Sequence, residues 1–458
     1  MKRIVIPEYG QIVRWRHNNP PPDEERIAYL EASAYRRLEK CEHQFTRDGQ
    51  PVFTFYKDYI QARQWVGVVQ IPGLQIEILP KVDNQPSESR ETKTDPWCQI
   101  RRNLLYMLAV SGDVPVRPRD MAKLATRRAP LNETLGALFA DSLLRELLRG
   151  CERNYVTYEE NLRCFKGRLL VGKQLLKNVA HRERFFCRYD QLSEDTAMNR
   201  IFKAASRILL DATQTPATQD MLRHCLLVLD EVSDVRVNSD HFDRVTFSRQ
   251  NERFEDLFHF CRLIIGERAP TVQSGKARSF SLFFDMNKVF ERFVAAFLHD
   301  RVMPNLPECK LYPQARNNRR PLFQSEGQRG VLHLAPDILL CHKNDTRRLV
   351  IDTKWKRLAS GSPDSQEGVL NADLYQLYAY THRFGCDQSV LLYPFVSGAS
   401  EKDLHILDDR HRRNGRRVGI RFVNLNRNLY AQDERNALTA ELEQLVRKGF
   451  GLESGGKA

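Results

Sequence analysis

Asp337, Asp352 and Lys354 combine residue type and spacing in a way that could do chemistry. Two carboxylates held near one another repel unless a cation lies between them. A hard divalent ion coordinated by carboxylates, waters and phosphate oxygens is the natural occupant. Mg2+ in that place could activate a water and stabilise the charge that builds on a phosphate. Lys354 would orient or help deprotonate the water, or screen the pentavalent phosphate. The competing reading is a solvated hairpin whose ion pairs are each worth about 0 to 1 kcal/mol. The apolar run Leu349-Val350-Ile351 leading into Asp352 suits a buried strand and argues against it.

The two acids meet only if the chain between them is a hairpin. Residues 337–341 and 349–353 are β-forming runs flanking a polar segment centred on Asn344-Asp345, which predicts an antiparallel pair. A turn centred there sets Asp337 opposite Asp352, with Cα atoms roughly 4.5 to 5.5 Å apart. Side chains alternate along a strand, so Asp352 and Lys354 share a face and Thr353 points away.

These residues resemble the PD-(D/E)xK nuclease superfamily, with Pro336-Asp337 as the first half of its motif and Asp352-Thr353-Lys354 as the second. DTKW at 352–355, FDMNKVFERFV at 284–294 and EILPKV at 77–82 resemble more narrowly the McrC family, the nuclease subunits of McrBC modification-dependent restriction systems. The resemblance implies a C-terminal restriction-endonuclease-like α/β core with a mixed sheet between helices. It implies Asp337 and Asp352 as metal ligands, the Thr353 carbonyl as a further ligand, and Glu291 on the first helix as a ligand of the metal or its water. Gln376 would bind phosphate or water. The implied setting is phage defence: double-stranded DNA bearing 5-methylcytosine is cut with a partner McrB-like AAA+ GTPase hexamer. That partner binds GTP and is stimulated by this chain. A stand-alone repair or defence nuclease, and a non-catalytic adaptor that activates a GTPase, are the rival readings.

Composition limits the field. A chain of 458 residues, 41% hydrophobic and 28% charged, has room for two or three domains. No apolar stretch approaches the ~20 residues of a membrane span, and MKRIVIPEYG lacks the apolar core of a signal peptide. Ten cysteines without CxxC pairing read as reduced thiols, so the expected location is cytoplasmic. A net charge of +13 favours a polyanionic partner. Arginines cluster at Arg316, Arg319 and Arg320, at Arg347 and Arg348, and at Arg412, Arg413, Arg416 and Arg417, all in the C-terminal half.

The resulting expectation is a multi-domain α/β (α+β) protein in three segments. Residues 1–96 form a β-rich N-terminal domain, which by the resemblance docks to the GTPase. Within it Pro72-Gly73 turns between two strands, and 23–41 reads as a helix. Polar residues 83–95 make a linker. Residues 97–268 are mainly helical, and residues 269–458 carry the nuclease core. There Phe283, Met286, Phe290, Phe293 and Phe297 fall on one helical face with Glu291 at its edge, followed by a second helix at 371–384 and a buried strand at 389–395. The GxxxxGK match at 167–173 is followed by Gln174 where a phosphate loop needs Ser or Thr, and it carries bulky residues where amides must curl. No nucleotide is therefore expected on this chain.

Overall fold

The computed structural model describes the chain outside residues 16–25, 43–44, 48, 82–94, 117–128, 267–279, 317, 327–329, 357, 359–364, 367–368, 408–412 and 453–458. The expected linker at 83–95 and Arg412 therefore lie almost wholly outside the described residues. The fold is mixed α and β, with several sheets. No described helix is long and apolar enough to cross a membrane.

The chain forms two compact units, 1–131 with 277–458, and 132–276. The sequence-drawn segments 1–96 and 269–458 thus share one unit, and a strand explains why. In the N-terminal region β1 (Lys2–Pro7) runs parallel to β2 (Leu74–Leu79), which forms a hairpin with β3 (Trp65–Ile71) across Pro72-Gly73. Gly73 has a φ of 77°, as that turn requires. The other edge of β3 is covered by β4 (Phe280–Asp285), antiparallel to it. Phe283 is therefore a sheet residue and not part of the helical face, because Asp285 caps the helix only afterwards, accepting a hydrogen bond from the Asn287 amide at 3.0 Å. Gly67 lets the two strands close. Its φ is 142°, and a Cβ there would lie 2.0 Å from the Leu282 carbonyl oxygen.

A second N-terminal sheet, in spatial order Ile27–Glu31, Gln11–Trp15, Tyr59–Ala62 and Phe53–Phe55, shares the same core through Ile12, Leu30 and Ile60. Of the expected helix over 23–41, residues 23–25 lie outside the described residues, and the described part is helical at Ala32–Glu39. Parallel pairing of Ile27–Glu31 with Gln11–Trp15 outweighs the local helical preference.

The sheet that carries the acids has six strands: β5 (Cys309–Pro313), β6 (Ile338–His342), β7 (Arg348–Thr353), β8 (Gln388–Pro394), β9 (Arg413–Val423) and β10 (Lys402–Leu407), in that spatial order. The first two pairings and the last are antiparallel, and the two central ones are parallel. A parallel neighbour needs a crossover, and α1 (Asn371–Phe384) supplies it between β7 and β8. Leu349, Val350 and Ile351 are fully buried. Val350 joins the core beneath α1 with Leu377, Tyr380 and Phe384. Leu349 faces the helix Gln432–Phe450, which approaches it closely enough that a Cβ on Gly449 would lie 2.5 Å from Leu349 Cδ2.

The second unit is built from the helices Leu131–Leu148, Ala197–Ala212, Pro216–Val228 and Glu255–Ile265, with the strands Asn154–Leu162, Arg168–Leu169 and Phe185–Ser193 forming a three-stranded sheet. The Thr196 hydroxyl caps the second of these helices. In the GxxxxGK segment, Lys173 forms an ion pair with Glu159.

Candidate active site

The hairpin has the register drawn from its sequence. Ile338 faces Ile351, Leu339 faces Val350 and Leu340 faces Leu349. Asp337 sits immediately before β6, beside the end of β7. Its carboxylate accepts hydrogen bonds from the Thr353 amide at 2.8 Å and the Thr353 hydroxyl at 2.7 Å, both on Oδ2. It therefore substitutes for the backbone carbonyl that a continued ladder would offer. It is turned toward Thr353 and does not lie free beside Asp352.

Asp352 is 1% exposed, and neither of its carboxylate oxygens accepts a well-directed hydrogen bond from a described residue. Lys354 Nζ stands 2.6 Å from Oδ2. Burial, then the charge of Asp337, then that of Asp373, push its pKa up to about 7, against the opposing pull of Lys354. For Lys354, burial disfavours the ammonium, but Asp352 outweighs it and the pKa is raised. Alternation along β7 thus places Val350, Asp352 and Lys354 toward α1, as the period of two demands.

Helix α1 supplies the next contacts. Lys354 Nζ donates to Gln376 Oε1 at 3.1 Å, Gln376 Nε2 donates to the Tyr380 hydroxyl at 2.8 Å, and that hydroxyl points to the Ala335 carbonyl at 3.4 Å. Gln376 and Tyr380 are four apart and share a helical face. The resemblance implies Gln376 as a phosphate or water ligand; in the structure its Oε1 accepts from Lys354. Tyr380 was not identified from sequence, where it reads as one more core aromatic. Asp352, Asp337 and Glu291 all add to the rise of its pKa to about 12, of which burial is the largest cause.

Glu291 lies on α2 (Met286–Phe297), whose residues Met286, Val289, Phe290, Phe293 and Phe297 form the buried stripe. Gln314 Nε2 donates to its Oε1 at 3.1 Å. Burial and the charge of Asp337 raise its pKa. It is thus in the electrostatic neighbourhood of Asp337. Among the described residues, however, no three His, Cys, Asp or Glu side chains converge into a metal-binding group. Glu291, Asp337 and Asp352 do not form a three-carboxylate cage.

A Mg2+ ion needs no such cage. It retains several waters and takes one or two carboxylates with phosphate oxygens. Among the described residues Asp352 Oδ1 is a buried acceptor without a donor, Oδ2 is met only by the Lys354 ammonium, and Asp337 keeps Oδ1 outside its bonds to Thr353. The donor set is all oxygen and anionic, which fits a hard divalent ion.

Several of the clustered arginines bond to the frame. Arg347 donates to the Phe450 carbonyl at 2.7 Å and Arg348 to that of Phe384 at 3.0 Å. Arg320 donates to the Arg383 carbonyl at 2.9 Å and Arg417 to the Gln388 side chain at 3.1 Å. Arg316 and Arg319 are exposed.

In the segment 77–82, whose last residue lies outside the described residues, Glu77 has a structural part. Glu77 is fully buried and receives Arg101 through Nε at 2.6 Å and Nη2 at 3.0 Å, together with Arg3 and the Leu131 amide. It ties β2 to the helix Cys98–Val110.

The family model described as "McrBC 5-methylcytosine restriction system component" matches residues 60–394. The chain is 22% identical over 344 residues to the Escherichia coli (strain K12) "Type IV methyl-directed restriction enzyme EcoKMcrBC", covering 71% of this chain and 92% of that protein. Its fold resembles a chain in the half-complex of the tetradecameric assembly of Thermococcus gammatolerans McrB AAA+ hexamers with bound McrC. The TM-score is 0.64 at 22% identity, covering 97% of this chain and all of that one. The family match spans the strand that covers the N-terminal sheet, the helix of Glu291 and the whole acidic hairpin, and the chain belongs to the McrBC 5-methylcytosine restriction system component family.

Proposed function

We propose that this chain is the Mg2+-dependent DNA endonuclease subunit of a 5-methylcytosine-directed restriction system. Its partner would be an McrB-like AAA+ GTPase hexamer, whose GTP turnover it stimulates. The observation that carries the chemical half is the Asp352 carboxylate, buried beside the charge of Asp337 with the Lys354 ammonium against Oδ2 and no donor on Oδ1 among the described residues. A carboxylate so placed is costly to ionise and serves little purpose in a scaffold. The biological half draws on the methyl-directed E. coli relative and on the assembly of the archaeal one with McrB hexamers.

In this reading residues 269–458 are a PD-(D/E)xK nuclease core and residues 1–96 contact the motor. Asp337 and Asp352 would hold the metal, with the Thr353 carbonyl and Glu291 as outer candidates. When bound, Mg2+ supplies an activated water and neutralises phosphate charge. Lys354, charged and fixed by Asp352 and Gln376, donates a hydrogen bond to the attacking water or to a non-bridging phosphate oxygen. Gln376 and Tyr380 keep that ammonium from rotating away. Glu291, with its raised pKa, is suited to hold a proton near the site.

The test is cleavage of methylated and unmethylated duplex with Mg2+, with and without the partner GTPase and GTP, for the parent and Asp352→Ala. Cutting should require metal, methylation, partner and GTP, and Asp352→Ala should lose cutting while still stimulating GTP turnover. Cleavage of ordinary DNA by the isolated chain would favour a stand-alone nuclease. Absence of cleavage under every condition, with GTPase stimulation intact in both proteins, would favour the adaptor.

A further inference from the structure

Lys354 is followed by a tryptophan that the acid-lysine chemistry does not use. Trp355 is 3% exposed, and its ring lies 5.3 Å from that of Phe290, beside Glu291 on α2. Its indole N–H donates to both oxygens of Glu8, at 2.8 and 3.1 Å. Glu8 is itself 3% exposed, at the end of β1, where its amide bonds to the Leu79 carbonyl at 2.9 Å. Lys81 Nζ lies 3.8 Å from the same carboxylate. An acid from the start of the chain therefore closes over the residue next to the reactive lysine.

The backbone explains why this contact matters. The Lys354 amide bonds to the Leu392 carbonyl at 2.9 Å, the last tie of β7 to β8. Beyond it the chain leaves the sheet, and two side chains fix its path. Lys356 Nζ meets Asp373 at 3.0 and 3.1 Å, and Trp355 meets Glu8. Lys356 is anchored to the helix of Gln376, whereas Trp355 is anchored to the N-terminal sheet. Removing Glu8 would leave a buried indole donor unsatisfied, an unfavourable state that the segment relieves by moving. Tyr9, the next residue, has a φ of 59°, a conformation rare for an aromatic residue. The carboxylate is thus presented by a tightly specified turn.

We infer that Glu8 is a positioning residue for Lys354, acting through the Trp355 indole, so that the N-terminal sheet helps to set the reactive ammonium. This rests on the nuclease reading only for its catalytic consequence. The mechanical claim, that loss of Glu8 releases Lys354, stands on the contacts alone.

Two measurements on the full-length chain separate these. The first is amine-reactive labelling of Lys354, quantified by mass spectrometry without DNA or metal, in the parent, Glu8→Ala, Glu8→Gln and Trp355→Phe. Labelling should rise several-fold in Glu8→Ala and Trp355→Phe. It should stay near the parent in Glu8→Gln, which keeps an acceptor for the indole. The second is steady-state cleavage with Mg2+ and the partner GTPase. Glu8→Ala should lower kcat about tenfold with the KM for DNA unchanged, Glu8→Gln should recover most of it, and Glu8→Ala should add no further loss in a Trp355→Phe background. Thermal scans confirm that each variant is folded. Unchanged labelling in folded Glu8→Ala overturns the inference. So does a kcat loss equal in both backgrounds, or Glu8→Gln behaving as Glu8→Ala. A parent chain that cleaves nothing defeats the nuclease reading, while the labelling still decides the mechanical claim.

Discussion

Asp352→Asn is expected to make the metal-free protein more stable at pH 8. The ordinary carboxyl value of 3.8 is raised to about 7, a shift of about three units, each worth about 1.4 kcal/mol. Ionising Asp352 in the folded state therefore costs roughly 4 kcal/mol at most. For an acid with a raised folded pKa, the contribution to stability is fully present below the unfolded value, near pH 4, and is lost as pH rises through about 7. The asparagine variant, neutral throughout, should match the parent near pH 4 and exceed it increasingly up to pH 7. Above that the difference is constant, on the order of 5 °C in Tm. Mg2+ should reverse the order at pH 8, raising the Tm of the parent and leaving the variant unmoved, because a ligand of the native state stabilises only what binds it. Differential scanning at pH 4.5 and 8, with and without saturating Mg2+, reads all four corners. A variant less stable than the parent at pH 8 without metal, or one stabilised equally by Mg2+, would refute the argument that a buried carboxylate only partly compensated by Lys354 takes a divalent cation.

Three further outcomes follow from the same geometry. Lys354→Gln should lower Mg2+-dependent cleavage by roughly 10² to 10³-fold, measured in single turnover, while retaining the Mg2+-induced rise in Tm, since the lysine pairs with Asp352 and Gln376 and is not itself a metal ligand. Tyr380→Phe removes the hydroxyl that accepts from Gln376 and should reduce cleavage about tenfold or less, with a stability change near 1 kcal/mol. Gly67→Ala forces a Cβ to 2.0 Å from the Leu282 carbonyl at a φ of 142°, so it should lower stability by several kcal/mol or yield insoluble chain. Unchanged solubility and Tm would show that β3 and β4 can separate without consequence.

The parts of the site legible in the sequence were the local ones. The hairpin register follows from a turn centred on Asn344-Asp345 and the period of two, and it held from Ile338 opposite Ile351 to Cys341 opposite Arg348. The sharing of one face by Asp352 and Lys354 followed from the same period. The helix carrying Glu291 was visible in its apolar spacing, although Phe283 was drawn into it wrongly, because an aromatic at the right interval looks the same on a strand that ends at a cap. Distant contacts left no such trace. Glu8 meets Trp355 across 347 positions, and Asn103 donates to the Leu425 carbonyl across 322. Nothing local marks Phe280–Asp285 as the partner of Trp65–Ile71, since any apolar strand fits the edge of a sheet. The turn of Asp337 toward Thr353 depends on where the ladder ends, which pairing patterns do not fix to one residue.

The pairing of Phe280–Asp285 with Trp65–Ile71 bears on how this protein can be dissected. A fragment ending near residue 96 would display the bare edge of a long apolar strand, and one starting near 269 would carry its orphaned complement, both prone to self-association. Truncations made to test the proposed motor-contact and DNA-cutting roles separately would report on misfolding instead. Co-producing the two pieces should improve the solubility of both, because each supplies the strand on which the other completes its β-sheet.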